Sequence, residues 1–497
     1  MAVDLLIPAL GGYDIHWWHV AIAVVAGAAA CVGAFFAVRA LIPIVSRWSR
    51  TQQIAAAGAV VLVVAGGAYA IYKALERPGD VLNEDVEFVK KERKKSTVKT
   101  VNWPVYGYDA ARTRYLPTKR VQPPFKSSDW SFQAGKLLEF PPIVVKDRLY
   151  FVDKDAEVYA RDADTGKAIW SEKIGALSAA SPAYSDGRLF TVSLEPGDIQ
   201  AMNPRSGRTM WEKQLPGRSE TSPVVVGNKV IIGTESGTVF ALNVKNGSQV
   251  WSHDTAGAVK GGIAVHDGIA FFGNYAGELY ALNVDDGSVK WQNGTTGGSF
   301  GRTGRIYSTP AVAFGRVYVG SVDNRIYSFS EETGELAWSH STNYWVYSAP
   351  AVAEVAGAPP TVYIGSLDKN FYALDATNGD VRWQHNLGGV IIGSASVIGD
   401  VVYVGVIGPK NGTFGFDADD GHQVFEHELG EYNPAVSDGK RLYLTGTSGI
   451  RAFPPDLHPK KTDERRKERL TEEHQAKKEK KAAKKEAKAA GSSSDEG

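Results

Sequence analysis

Cysteine is almost missing from this 497-residue chain: the single copy, Cys31, lies inside an apolar run. A disulfide framework, a cysteine-rich zinc site and a CxxC redox pair are therefore excluded within one chain. Methionine is scarce, at 3 residues, and the 10 histidines include no HxxxH or HExxH pair, so no metal site is expected. Net charge is absent as well, with 55 basic against 55 acidic side chains, but the balance is not local. The stretch 100–456 carries 31 basic and 38 acidic groups, whereas 457–497 carries 13 and 9. An acidic body has no basic stripe to neutralise phosphates, and nucleic acid drops out as a partner.

Long apolar runs are confined to the N-terminal region. Residues 20–38 and 54–72 are each nineteen residues without a charge, close to the roughly 20 needed to cross about 30 Å of hydrocarbon. Trp17, Trp18, His19, Tyr69 and Tyr72 at their ends suit the membrane interface. A two-helix transmembrane hairpin is expected within 1–77, with the lipid bilayer as its partner. No basic segment precedes the first run, so a cleaved signal peptide is not expected. Arg39, Arg47 and Arg50 between the runs place that connection in the cytoplasm, and the chain beyond the second run on the extracytoplasmic side of an inner or plasma membrane. A basic cluster at Lys90–Lys95 argues the other way, from the edge of the range over which such charges count. Residues 78–100 read as a charged linker, and 457–497 as a solvated helix followed by disorder.

Between them, 101–456 is repetitive. Its fullest unit runs from Ala160 to Trp170 as Ala-Arg-Asp-Ala-Asp-Thr-Gly-Lys-Ala-Ile-Trp. The Gly-x-x-x-Trp core returns at Gly207/Trp211, Gly247/Trp251, Gly287/Trp291, Gly334/Trp338 and Gly379/Trp383, and with phenylalanine at Gly421/Phe425. The aromatic positions are 40–47 residues apart, the spacing of four-stranded propeller blades. Asn-Gly, Asp-Gly and Thr-Gly pairs mark the hairpin turns, and the terminal aromatic packs between blades. Seven units are complete. An eighth lacks its outermost strand, which the stretch Ser128–Ala134 supplies, with Trp130 forty residues before Trp170. The fold is all-β, an eight-bladed β-propeller whose N-terminal strand closes the last blade.

The motif Ala-x-Asp-x-x-Thr-Gly-Lys-x-x-Trp, preceded by Trp103–Asp109 and Arg112–Tyr115, resembles the pyrroloquinoline-quinone-type repeat propellers over about 350 residues. That family includes quinone-dependent dehydrogenases and BamB-like non-catalytic scaffolds, and this chain is closest in style to the latter. The resemblance implies, for an enzyme, pyrroloquinoline quinone with calcium and often a cap made by a disulfide between adjacent cysteines. No cysteine occurs beyond Cys31, which excludes the cap, and the blades lack long pocket-building insertions. No catalytic residue is nominated and no cofactor is expected.

What breaks the repeat marks the candidate binding face. Loops that enter inner strands gather at one end of a propeller channel, and most here are short and bland. The connection after Trp291 is long and carries Arg302, Arg305 and Tyr307. The next places Tyr344, Trp345 and Tyr347 where neighbours use Ser or Ala. Glu139, Phe140, Arg218, Glu220, Lys260, Glu431 and Tyr432 hold equivalent positions in other blades. Aromatic and arginine side chains on loops of a rigid scaffold are typical binding anchors, although the aromatics could equally plug the channel. The expectation is a membrane-tethered scaffold at the cell envelope that binds a protein or peptide. A dehydrogenase using the quinone and calcium, and a sensor of an extracellular ligand, are the alternatives.

Overall fold

A computed structural model of the chain describes residues 49–52, 65–67, 69, 79–89, 102–297, 304–355 and 357–456. Among them no helix is long and apolar enough to cross a membrane. The run 20–38 lies outside the described residues, as do most of 54–72 and all of 457–497.

Eight sheets, antiparallel within each blade, form the rest. Blade 3 is typical, with strands Val224–Val226, Lys229–Gly233, Thr238–Asn243 and Gln249–Asp254 from the channel outward. Side chains alternate between the two faces of a strand, and here both faces are buried. Val239 and Ala241 pack towards Ala270 and Phe272 of blade 4, whereas Phe240 and Leu242 pack towards Phe190 and Val192 of blade 2. The core is thus a series of seams between blades, which is why middle strands read as near-continuous apolar runs.

Each seam repeats one contact set. The indole of Trp251 donates to Val284 O at 2.8 Å, and its ring covers Gly287 so closely that a Cβ there would come within 2.7 Å. Gly287 also sits at φ 74°, so glycine is required twice, for the turn and for the ring. Trp130, Trp170, Trp211, Trp291 and Trp338 repeat the indole bond on Ala163, Pro204, Val244, Glu331 and Ala376. Trp383 covers Gly421 in the same way but its Nε1 has no partner.

The ring closes as expected. Trp130–Gln133 pairs antiparallel with Gly449–Phe453, Trp130 opposite Ala452, and Trp130 covers Gly166 of blade 1. The phenylalanine in the seventh repeat now has a reason. Blade 8 takes its outer strand from the other end of the chain, so it has no glycine turn and no turn carbonyl to receive an indole. Phe125 fills that place, edge-on to Phe425 at 5.5 Å.

Two segments do more than their sequences suggest. Residues 79–89, inside the stretch read as a linker, are docked. Val81–Leu82 adds a fifth strand outside Leu336–Ser341 of blade 5, Asp80 accepts from Ser341 N at 2.8 Å, and Val86 is buried with its carbonyl held by Arg316. The segment 103–116 runs inside the channel as a hub. Its carbonyls at Pro104, Ala110, Ala111, Thr113 and Arg114 accept from Tyr184, Val265, Val312, Val352 and Val397, on the inner strands of five blades. Trp103 exchanges both backbone bonds with Val144 of blade 1, and Tyr115–Leu116 pairs parallel with Val397–Ile398. The hub satisfies strand edges that would otherwise face an empty channel.

Candidate site at the channel mouth

Strands alternate in direction, so the loops entering inner strands share one end of the channel with the turns between second and third strands. At that mouth Lys260 is held by two carboxylates, Glu220 at 2.9 Å and Glu235 at 2.6 Å. Burial alone would lower the Lys260 ammonium, but the two carboxylates outweigh it and hold it above its ordinary value. Glu220 moves up because burial outweighs Lys260, while Glu235 moves down because Lys260 outweighs burial. Arg218 pairs with Glu195. Removing the shared cation with Lys260→Met is expected to cost about 1–3 kcal/mol at pH 8, the penalty for leaving partly buried polar groups without a partner. The loss shrinks by pH 5, as Glu220 takes up a proton; urea unfolding at the two pH values measures this.

The aromatics form one wall. Tyr344 stacks on Trp345 at 5.2 Å, Trp345 meets Tyr347 edge-on at 5.8 Å, and Tyr347 meets Tyr307 at 5.5 Å. Tyr307 then leans on Tyr275 at 6.3 Å, and Arg305 lies over the Tyr275 ring at 5.5 Å. Burial, then Glu220, pushes the Tyr307 phenol well above its usual range. The three aromatic side chains of the 344–347 loop remain partly exposed, as does Tyr307, and Arg305 is exposed, so the wall lines the mouth without sealing it. Glu139 and Tyr432 reach the same space from blades 1 and 8: the charge of Glu139 raises the phenols of Tyr307 and Tyr432. Arg302 lies outside the described residues.

Several mouth residues escaped the sequence reading. Glu195, Glu235 and Tyr275 sit in second-to-third-strand turns, one period apart, and that register was the available signal. From the hub, Tyr106 meets Phe140 edge-on at 5.9 Å, and its hydroxyl lies 2.9 Å from Ser394 Oγ. Beneath lie Arg112 and Arg114, both fully buried. Arg112 donates to the carbonyls of Tyr106, Ile263, Ser222 and Pro223.

The family model described as outer membrane protein assembly factor BamB matches residues 119–258 and 245–453. The chain belongs to this family. Among curated relatives, BamB of Burkholderia pseudomallei is 31% identical over 24% of this chain and 30% of its own length. A 1-butanol dehydrogenase (cytochrome c) of Thauera butanivorans is 28% identical over 26% of this chain and 22% of its own length. The matches thus span less than a third of either relative. In structure, BamB from Moraxella catarrhalis aligns with TM-score 0.55 at 18% identity, covering 66% of this chain and 99% of that one. A europium-containing methanol dehydrogenase aligns with TM-score 0.59 at 14% identity, covering 71% and 98%. Such likeness carries the fold alone.

Whether the mouth suits a cofactor turns on its donor set. Calcium takes six to eight oxygen ligands, mostly carboxylate and amide. Here Glu220 and Glu235 are tied to Lys260 and Glu195 to Arg218. Among the described residues the one three-ligand group, His266 with Asp267 and Glu331, belongs to turns at the other end. There the imidazole Nδ1 faces Glu331 at 2.5 Å and Nε2 faces Asp267 at 4.0 Å. Its two nitrogens diverge, so the three ligands do not converge on one ion. At the mouth Glu139 and Glu431 are left outside the ion pairs of Lys260 and Arg218.

Proposed function

We propose that the protein is a non-catalytic scaffold, tethered to the membrane through 20–38 and 54–72, whose propeller binds a protein or peptide partner on the extracytoplasmic side. The continuous, partly exposed aromatic wall from Tyr344 to Tyr275 carries this reading. Rigid aromatics give contact area at small entropic cost, and Glu220 and Glu235 beside them are tied to Lys260. The name of the BamB relatives, an assembly factor, agrees with a protein partner. Alanine at Tyr344, Trp345 and Tyr347 together is expected to leave folding intact and to abolish a partner recovered by crosslinking from native membranes. Unchanged recovery removes the mouth from the binding surface. The likeness to 1-butanol dehydrogenase (cytochrome c) supports a quinone-dependent dehydrogenase as a second reading. Stoichiometric quinone binding with calcium and turnover of alcohol with a dye would establish it and end the scaffold reading.

A further inference from the structure

Two carboxylates at the mouth, Glu139 and Glu431, have no ion pair among the described residues, and Glu431 Oε2 is buried without a hydrogen bond. Lys260 has two carboxylates and Arg218 has one, but Glu139 makes no hydrogen bond or ion pair among the described residues. It is only partly buried, so a ligand can reach it. Rings lie near it: Phe140, next in the chain, packs against Tyr106 at 5.9 Å, and Tyr307 and Tyr432 are close enough to feel its charge. An unpaired carboxylate held out of water is unfavourable. A carboxylate beside aromatic faces attracts one kind of group from two directions, an ammonium or guanidinium. Glu220 and Glu235 outnumber the Lys260 they share by one charge, which disfavours an anion, and an apolar ligand would leave Glu139 stranded.

We propose that the mouth receives a lysine or arginine side chain of a partner peptide, with Glu139 as counter-ion and Tyr106, Phe140 and Tyr307 as its aromatic wall. This rests on the mouth being the binding face and names what that face selects. The groups facing Glu139 are Glu220, Lys154, Lys260, Tyr307 and Tyr432. Burial, and after it Glu220, pushes the Glu139 carboxyl up to about 7. A cation binds the ionised form, so affinity is full above pH 7 and falls as pH drops below it. At pH 6 about one-tenth of Glu139 is ionised, a roughly tenfold loss.

The test is calorimetry on the full chain with an acetylated, amidated triarginine peptide and its tricitrulline counterpart, which has the same shape without charge. Triarginine is expected to bind about tenfold or more tighter at pH 8, to lose about tenfold at pH 6, and to release a proton near pH 7. Glu139→Gln removes both the charge preference and the pH dependence. Glu332→Gln, the same charge change at the far end, keeps both. Equal binding of the two peptides overturns the proposal, as does a pH dependence that survives in Glu139→Gln. If Glu139→Gln fails to fold by circular dichroism, the wild-type comparison of the two peptides at both pH values decides. If a chain ending at 456 binds triarginine and the full chain does not, the occupant is the chain's own basic tail and the external partner is overturned. Loss of charge selectivity with partner capture intact defeats this inference alone. Capture that ignores the triple alanine variant defeats the binding face itself.

Discussion

Replacing Arg112 with Met is expected to lower unfolding free energy by about 3–5 kcal/mol, the range for removing one member of a buried charged network. Burial and then Arg114 disfavour its charge, pushing its pKa down to about 9. Four carbonyls offset this: Tyr106 O, Ile263 O at 2.9 Å, Ser222 O at 3.0 Å and Pro223 O at 3.1 Å. Those acceptors tie the hub to blades 3 and 4, and a methionine leaves them without a donor. Arg114 differs although it lies two residues away. Its Nη1 donates to Arg112 O and Pro350 O, but Nε and Nη2 have no partner, and the guanidinium lies over the Tyr106 ring at 4.9 Å. Arg114→Met removes a like charge beside Arg112 and fewer bonds, so about 1 kcal/mol is expected. Equal losses in denaturant titrations would show that the hub depends on its total positive charge, not on the carbonyls each arginine reaches.

Trp338→Ala is the other large effect, about 3–5 kcal/mol by the usual cost of emptying a buried aromatic site. Trp338 is fully buried, donates to Ala376 O at 3.0 Å and covers Gly379, where a Cβ would come within 2.8 Å. It also lies inside the edge extended by Val81–Leu82, opposite Leu82. Phe425→Ala should cost roughly half as much. Phe425 is only partly buried, makes no indole bond, and rests on Phe125 and Tyr403. Comparable losses at the two positions would show that bulk alone holds the seams, with no share for the indole bond and glycine contact.

These contrasts explain what was legible in the sequence. A blade announces itself because a seam needs particular residues at particular places: glycine under the ring and at positive φ, a tryptophan above it, and a small residue opposite the tryptophan. Ala241 opposite Trp251 and Ser328 opposite Trp338 show the last. Trp130 was readable for the same reason. The hub was not, because backbone atoms make most of its contacts and any sequence has those. Nor was the docked segment at 79–89, whose strand is two residues long and whose charged neighbours, Asp80 and Glu84, look like those of a linker.

At the mouth, the loops that broke the repeat were visible. Lys260 and Arg218 were found, but as free binding groups; their partners Glu235 and Glu195 come from turns that only the ring brings alongside. Spacing along the chain cannot show which charges are already matched. Glu139 and Glu431 stand out only once the others are seen to be taken.

The hub also imposes an order in time. Residues 103–134 are synthesised before nearly everything they touch: Val352 and Val397 for the hub, Gly449–Phe453 for the closing strand. On the ribosome the hub meets its partners blade by blade, and the closing strand stays unpaired until the last blade emerges. Partners so distant in sequence make the final steps of assembly the slow ones, and chains released short of the last blade would present an open seam to chaperones and proteases. The finished ring is therefore also a record that synthesis has passed Phe453.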